Sequence, residues 1–181
     1  MRVIAGKYKG RTLFSPKDLS VRPTTDRIKE NVFNLVQGYF PGARFLDLFG
    51  GSGAISVEAL SRGAERAVVV DASRESAMLI KKNFGKVGIG REGEILELSY
   101  DIALKRLSGQ KFDLIYLDPP YRSDCYQDVL EKIRLCDVLA EGGAVLFEHA
   151  TDRPFLSAEG YVLTDRRRYG SVTLEILRIE S

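Results

Sequence analysis

Long apolar runs are absent from this sequence, and so is any clear targeting segment. No run approaches the ~18 apolar residues of a membrane span. Residues 1–7 lack the apolar stretch of a signal peptide. The apolar share of 44% and the charged share of 29% are those of a soluble globular protein. We therefore expect a cytoplasmic protein.

Cysteine and histidine are scarce as well, which limits the metal and redox chemistry to be expected. The chain has two cysteines and one histidine. Cys125 and Cys136 lie in one predicted helix, roughly 16 Å apart along its axis, so they cannot form a disulfide with each other. His149 ends a predicted strand and has no second ligand at metal-like spacing. We expect a core or strand-end histidine and no metal.

Basic residues are concentrated at the N-terminus. Residues 1–29 contain eight Lys and Arg against two acidic residues, a net charge of +6 in a chain whose total is +2. A second basic cluster lies at 166–168. Such surfaces often track nucleic-acid phosphates, although a solvated face explains either cluster equally well. The candidate RNA contacts are Arg2, Lys7, Lys9, Arg11, Arg22 and Arg27.

The order of the predicted elements indicates an α/β fold. Two β-like stretches between Val3 and Phe14 predict a small hairpin, and Thr24 or Thr25 is expected to cap a helix. Strands and helices then alternate, which implies a parallel sheet with right-handed crossovers. The predicted strands are 44–48, 66–71, 94–98, 112–117 and 143–149, and the predicted helices are 53–62, 74–84, 102–108 and 124–139.

The C-terminal residues depart from this alternation. Segments 161–168 and 172–179 flank a turn and predict an antiparallel hairpin. The length of 181 residues is that of one domain, and no linker divides the chain. We expect a single domain in which residues 1–42 form an RNA-binding appendage and residues 43–181 form a Rossmann-like core. This core has a seven-stranded, mostly parallel sheet.

A glycine-rich turn follows the predicted strand 44–48, where ligands bind in open α/β folds. Its glycines allow close backbone approach, and the next helix presents its first amides to a ligand. Nucleotide dehydrogenases also have such a turn, but Ser56 stands where their third glycine should fall. Asp47 is typical of proteins that bind S-adenosylmethionine. The predicted cofactor contacts here are Asp47, Phe49, Gly50, Gly51, Ser52 and Gly53.

Four further candidate cofactor contacts lie at the ends of the next two strands or directly after them. Asp71 ends strand 66–71 and can accept both ribose hydroxyls of an adenosine, with Ala72 and Ser73 directly after it. Ser73 competes as a cap for the following helix. Asp101 follows strand 94–98, where it either contacts the adenine amino group or caps the helix that begins at Ile102.

The segment Asp118-Pro119-Pro120-Tyr121 follows strand 112–117 and is the candidate catalytic motif. The two prolines fix the backbone and remove two N–H donors, so the turn projects its carbonyls in a defined direction. The Asp118 carboxylate and the Pro119 carbonyl can orient an exocyclic amine that gains positive character during methyl transfer. Tyr121 can stack on an extruded base.

Several segments together resemble the RsmD-type 16S ribosomal RNA guanine-N2 methyltransferases. These segments are 1–11, 22–27, 32–34, 46–53, 58–63 and 117–121. DNA adenine methyltransferases share the Asp-Pro-Pro-Tyr element, so the N-terminal segments make the resemblance specific. Gly50 and Asp71 stand where the family often has Ala and Glu. We expect the first departure to be harmless and the second to shorten the reach to the ribose.

The resemblance implies a class I methyltransferase that uses S-adenosylmethionine and methylates one guanine of 16S rRNA. The RNA would be presented by the small ribosomal subunit or an assembly intermediate, and we expect the enzyme to be a monomer. A DNA N6-adenine methyltransferase is an alternative, but it would normally need a recognition insert. A non-enzymatic RNA-binding assembly factor is another. A nicotinamide oxidoreductase leaves the Asp-Pro-Pro-Tyr segment unexplained.

Overall fold

The computed structural model describes residues 1–16, 26–120, 123, 125–152 and 158–180. Strands and helices alternate in these residues, as the sequence predicted. The helices are α1 (Asp26–Leu35), α2 (Ala54–Ser61), α3 (Arg74–Val87), α4 (Tyr100–Arg106) and α5 (Tyr126–Leu135). The strands are β1 (Arg44–Asp47), β2 (Arg66–Asp71), β3 (Gly93–Glu97), β4 (Phe112–Leu117), β5 (Leu139–Ala150), β6 (Tyr161–Tyr169) and β7 (Val172–Ile179). Within the described part, no helix is both long and apolar enough to cross a membrane.

The strands form one mixed sheet in the order β3-β2-β1-β4-β5-β7-β6. Strands β1 to β5 pair in parallel, whereas β7 is antiparallel to both β5 and β6. The fold class and the C-terminal hairpin are therefore confirmed. Because β1 lies between β2 and β4, the carboxyl ends of these three strands meet at one edge of the sheet.

Each face of the sheet carries its own hydrophobic cluster. One face packs against α1, α2, α3 and the N-terminal residues, and the other packs against α4 and α5. Side chains along β4 alternate between the two faces: Leu114 and Tyr116 belong to the first cluster, and Ile115 and Leu117 belong to the second. Side chains two residues apart at the end of a strand consequently reach the same face.

The predicted boundaries of α5 and β5 are wrong. The helix ends at Leu135 instead of residue 139, since Asp137 takes a left-handed backbone conformation with φ 52°. Strand β5 begins at Leu139, which pairs with Phe112, and so starts four residues before the predicted strand. Cys125 and Cys136 consequently flank α5 instead of lying inside it.

The N-terminal residues form an arm, residues 1–16, with less strand than predicted. Arg2 and Thr12 make one antiparallel bridge, and residues 5–10 turn between them. Backbone hydrogen bonds from Val3 to Arg11 and from Leu13 to Met1 hold the two ends together, each at 2.9 Å. The predicted caps Thr24 and Thr25 lie outside the described residues.

Candidate active site

The glycine turn joins β1 to α2 through a compact set of backbone hydrogen bonds. The Gly50 N–H bonds the Val70 carbonyl at 2.8 Å, and the Gly53 N–H bonds the Gly50 carbonyl at 2.7 Å. Gly51 and Gly53 have positive φ angles of 56° and 76°, which side chains rarely allow. Gly53 precedes the first residue of α2 and has no side chain with which to cap it. The first amides of α2 therefore face the turn.

Gly50 is held in place by its neighbours on β2 and α3. A Cβ at this position would lie 2.4 Å from Cγ1 of Val69 and 3.0 Å from Cδ1 of Ile80. In this chain the Val69 side chain fills the space that an alanine methyl at position 50 would need, so the effect of this departure from the family's usual alanine stays a prediction.

Asp47 stabilises the glycine turn through hydrogen bonds of its buried side chain. Its side chain is 1% exposed, and its Oδ1 accepts the Phe49 N–H at 3.3 Å while Oδ2 accepts the Ser56 hydroxyl at 3.0 Å. Burial raises the pKa of Asp47 to about 7, although the bonds from Ser56 and Phe49 act in the opposite direction. Asp47 thus fixes both the end of β1 and the first turn of α2. Direct contact with a cofactor stays a prediction.

Asp71 connects the end of β2 to the glycine turn. Its Oδ2 accepts the Gly51 N–H at 2.8 Å, and its Oδ1 accepts the Ser73 N–H at 2.8 Å. Ser73 is the N-cap of α3 and accepts the Ser76 N–H at 3.3 Å, so the competing cap is observed. Each carboxylate oxygen retains a lone pair for a further hydrogen bond. Ala72 and Ser73 are exposed beside it.

Asp101 does not cap α4, because that helix begins at Tyr100 and its N-cap residue is Ser99. Asp101 lies in the first turn, and a hydrogen bond with Ser99 lowers the pKa of its carboxyl. The predicted contact with adenine stays a prediction.

Tyr100 lies beside the candidate site and was not predicted from the sequence. Its ring lies 5.6 Å from the ring of Phe49, measured between centroids, and its hydroxyl donates to Asp128 at 2.6 Å. Lys132 bonds the same carboxylate. An aromatic wall therefore stands beside the glycine turn, anchored to α5. Only the tertiary contact distinguishes Tyr100 from any other aromatic residue at the start of a helix.

The predicted catalytic motif begins directly after β4. Asp118 is half-buried, Pro119 is buried and Pro120 is exposed. The Pro120 carbonyl accepts the Ser123 N–H at 2.7 Å. The carbonyl that is predicted to accept a hydrogen bond from the target amine is that of Pro119. Tyr121 lies outside the described residues.

Asp118 has acidic neighbours that the sequence reasoning also missed. Leu117 on β4 pairs with Phe147 on β5, so the next residues along the two strands, Asp118 and Glu148, are neighbours. Glu148 is buried. The Tyr116 hydroxyl donates to Glu148 at 2.5 Å. Burial raises the pKa of Asp118 well above its usual value, and the nearby charges of Glu148 and Asp47 add to this effect. The edge of the sheet thus holds a carboxylate that is a stronger base than that of an ordinary aspartate.

The N-terminal arm is anchored by Glu58, which lies on α2 and is 0% exposed. The two carboxylate oxygens of Glu58 accept the backbone N–H groups of Ile4 at 2.9 Å and Ala5 at 3.0 Å. Lys29 lies 3.7 Å from the same carboxylate, and Arg62 Nε donates to it at 2.9 Å. The segment 58–63, which belongs to the family resemblance, is the docking site of the arm.

The predicted RNA contacts do not all have the same surroundings. Arg2, Lys7, Lys9, Arg11 and Arg27 are exposed, and Arg22 lies outside the described residues. Arg11 also has a structural contact, because its guanidinium donates to the Val87 carbonyl at the end of α3. Lys29 is 1% exposed, so one of the eight basic residues counted at the N-terminus does not face solvent.

His149 is buried near the end of β5, on the opposite face from Glu148. Its Nδ1 lies 2.9 Å from the Ala150 carbonyl oxygen, and its Nε2 lies 3.2 Å from Oε1 of Glu175. Arg166 Nε donates to that same oxygen at 2.8 Å. The strand-end histidine predicted from the sequence therefore lies beside the ion pair between Glu175 and Arg166, and Arg166 belongs to the basic cluster 166–168.

The chain is similar to known proteins along nearly its whole length. Residues 1–178 match the family model described as "Conserved hypothetical protein 95". The Bacillus subtilis protein YlbH, which has a provisional rRNA methyltransferase name, is 36% identical over 98% of both chains. Ribosomal RNA small subunit methyltransferase D of Haemophilus influenzae is 30% identical over 97% of this chain and 92% of its own.

Solved structures of other proteins have the same fold as this chain. YhhF of Escherichia coli, provisionally a methyltransferase, superposes with a TM-score of 0.88 at 25% identity, over 100% of this chain and 98% of its own. A more distant, provisionally assigned methyltransferase complexed with S-adenosylhomocysteine shares the fold at a TM-score of 0.70 and 15% identity, over 84% of this chain and 48% of that one. The chain belongs to the RsmD family of rRNA methyltransferases and has the class I fold of methyltransferases that use S-adenosylmethionine.

Proposed function

We propose that this protein transfers a methyl group from S-adenosylmethionine to the exocyclic N2 amine of a guanine in small-subunit (16S) ribosomal RNA. We propose further that it acts as a cytoplasmic monomer on the small subunit or an assembly intermediate. One observation carries the proposal: Asp118, flanked by buried acidic neighbours, lies one strand away from a glycine turn that Asp71 braces.

The residues around the glycine turn fit the proposed cofactor. The Asp71 carboxylate offers acceptors to two adjacent ribose hydroxyls, and the exposed backbone after β2 leaves room for an adenosine. At the start of α2 the Ala54 N–H bonds the Ser52 hydroxyl at 3.4 Å, and the N–H groups that follow it are offered to a polar group such as a carboxylate, since Gly53 has no side chain to cap them. Phe49 and Tyr100 offer an aromatic wall to the apolar parts. When bound, S-adenosylmethionine would supply an activated methyl group on its sulfonium.

The Asp118 carboxylate can bind a guanine as the target. Guanine presents two adjacent donors on one edge, the N1–H and the N2 amine, and the two oxygens of one carboxylate match both. The preference for guanine over adenine rests on the N-terminal segments, because DNA adenine methyltransferases share the Asp-Pro-Pro-Tyr element. The Pro119 carbonyl adds a further acceptor for the amine, in a direction that the proline ring holds fixed.

The acidic surroundings of Asp118 suit a nitrogen that becomes positively charged. As methyl transfer proceeds, Asp118 and the neighbouring Glu148 would stabilise the charge that develops on the amine. The raised pKa of Asp118 also makes its carboxylate a stronger base than an ordinary aspartate. Asp118 can therefore accept the proton that the methylated amine releases.

The experiment that tests the proposal measures methyl transfer from labelled S-adenosylmethionine to three substrates in parallel. These substrates are small-subunit particles that lack the modification, the same RNA without protein, and duplex DNA. We expect strong labelling of particles, weak labelling of naked RNA and none of DNA, because so small a chain needs a surface that presents the target base unpaired. Preferential labelling of DNA would support the adenine alternative. Failure to label any of the three would favour a non-enzymatic factor.

A further inference from the structure

Phe14 is an aromatic residue that the proposed mechanism leaves without a role. It lies at the end of the N-terminal arm and is 38% exposed. Two ammonium groups from successive turns of α3 lie over its ring, Lys82 Nζ at 4.1 Å and Lys86 Nζ at 4.2 Å from the centroid. Both lysines are exposed. A partly exposed ring with two cations over it is thus built into the surface where the arm meets α3.

The backbone of Phe14 is held rigidly. Asn83 is 0% exposed, and its side chain accepts the Phe14 N–H at 2.8 Å and donates to the Phe14 carbonyl at 3.1 Å. The same amide nitrogen donates to the Ser52 carbonyl at 2.8 Å. One buried side chain therefore fixes the position of Phe14 relative to the glycine turn, so the ring stands at a defined place beside the candidate active site.

The charges around the ring are of one sign. Along α3, the residues after Glu75 include Lys81, Lys82 and Lys86 and no acidic residue. Lys86 also donates to the Thr12 hydroxyl at 3.0 Å, which holds its ammonium near the arm. Cations close to an exposed aromatic ring are a combination with which proteins bind single-stranded nucleic acid, because phosphates pair with the cations while a base stacks on the ring.

We propose that Phe14, Lys82 and Lys86 form a second RNA subsite, separate from the pocket for the target base, in which one unpaired base next to the target stacks on Phe14. The proposal rests on the proposed function, since it assumes that RNA is the substrate. The two lysines bind the phosphates on either side of that base. The hydrogen bonds of Asn83 keep this subsite at a fixed distance from the glycine turn and so set which nucleotide reaches Asp118.

The test compares three substitutions of Phe14 that differ in what they keep. Phe14→Tyr retains the aromatic face, Phe14→Leu retains apolar bulk without it, and Phe14→Ala removes both. The probe is a single-stranded RNA oligonucleotide that carries 2-aminopurine at one position at a time, because stacking on an aromatic ring quenches its fluorescence. Leu135→Ala, an exposed apolar substitution on α5 at the opposite face, is the matched control.

We expect the wild type and Phe14→Tyr to quench 2-aminopurine at one position, and Phe14→Leu and Phe14→Ala to abolish that quenching. The last two variants should also bind the RNA about 5- to 150-fold more weakly. Their melting temperature and affinity for S-adenosylhomocysteine should match those of Leu135→Ala. Equal RNA affinity and quenching in Phe14→Leu and the wild type would overturn the subsite.

The two proposals fail in different ways in this experiment. If the wild type methylates small-subunit particles but Phe14→Leu binds RNA as well as it does, the subsite is wrong and the function stands. If no particle is methylated but quenching still depends on the aromatic ring, the subsite stands as an RNA-binding site and the proposed reaction is wrong.

Discussion

The Asp71 carboxylate accepts the Gly51 N–H at 2.8 Å, so the residue that ends β2 is bonded directly to the turn that follows β1. This bond joins the two parts of the predicted cofactor site. It also gives Asp71 two functions, which are to brace the turn and to accept ribose hydroxyls. A substitution at this position is therefore expected to act on both.

Asp71→Ala should weaken the binding of S-adenosylhomocysteine by roughly ten- to a hundredfold, the equivalent of about 1.5–3 kcal/mol for charge-assisted hydrogen bonds. Asp71→Asn, which retains one acceptor oxygen, should lose less. Isothermal titration calorimetry measures both, with Glu131→Ala on α5 as the control. Unchanged affinity in a folded Asp71→Ala variant would remove Asp71 from the cofactor site.

Glu148→Gln should shift the pH dependence of methyl transfer. Because its pKa is raised, Asp118 stays protonated to a higher pH than an ordinary aspartate does, and it becomes a carboxylate only above that pKa. Activity is therefore expected to fall as the pH is lowered through the pKa of Asp118. Removing the charge of Glu148 lowers the pKa of Asp118, and the acidic limb of kcat/KM should move to lower pH. The measurement is the pH profile of kcat/KM for Glu148→Gln and for the exposed control Glu131→Gln. An unmoved limb in Glu148→Gln would mean that Glu148 does not act on Asp118.

Glu58→Gln should release the N-terminal arm from α2. The buried carboxylate accepts two backbone amides and compensates the buried Lys29, and breaking such a buried pair costs about 3–5 kcal/mol. Chemical denaturation should show this loss of stability, and trypsin should cut after Lys7 and Lys9 faster than in the wild type. Glu65→Gln, an exposed change in the loop after α2, is the control. A variant as stable and as protease-resistant as that control would contradict the anchoring role of Glu58.

Replacing both Lys7 and Lys9 with Ala should weaken RNA binding without affecting the cofactor. Both side chains are exposed, whereas Arg11 also bonds α3 and is therefore left unchanged. The plot of log affinity against log salt concentration should become shallower by about 0.7 for each phosphate contact that is lost on a single strand. Affinity for S-adenosylhomocysteine should stay the same. A double variant with the wild-type salt slope would show that the arm does not contact phosphates.

Much of the fold follows from patterns that are local in sequence. Strands β2 and β4 have the predicted bounds because each is a short buried run between clear breaks. The boundary between α5 and β5 was wrong because residues 136–139 continue a helical pattern, and the left-handed conformation of Asp137 and the pairing of Leu139 with Phe112 override it. Local sequence propensity predicts neither the conformation of Asp137 nor the pairing of Leu139.

The same distinction holds for the candidate site. The sequence motifs predicted the glycine turn, Asp71 and Asp118 as candidate site residues, because glycine and proline are distinct signals at the ends of strands. Glu58, Asn83 and Glu148 act across separations of 30 residues or more, which hydrogen bonds in the fold reveal and sequence spacing does not. A single charged or amide residue inside a helix or strand gives no sign of its distant partner.

The most direct measurement of the central claim identifies the nucleoside that the enzyme modifies. Small-subunit particles lacking the modification are incubated with S-adenosylmethionine, and their RNA is then digested and analysed by liquid chromatography and mass spectrometry. The wild type should produce N2-methylguanosine, and Asp118→Ala should produce almost none while it still binds S-adenosylhomocysteine. Formation of a different methylated nucleoside, or near wild-type turnover by Asp118→Ala, would contradict the account.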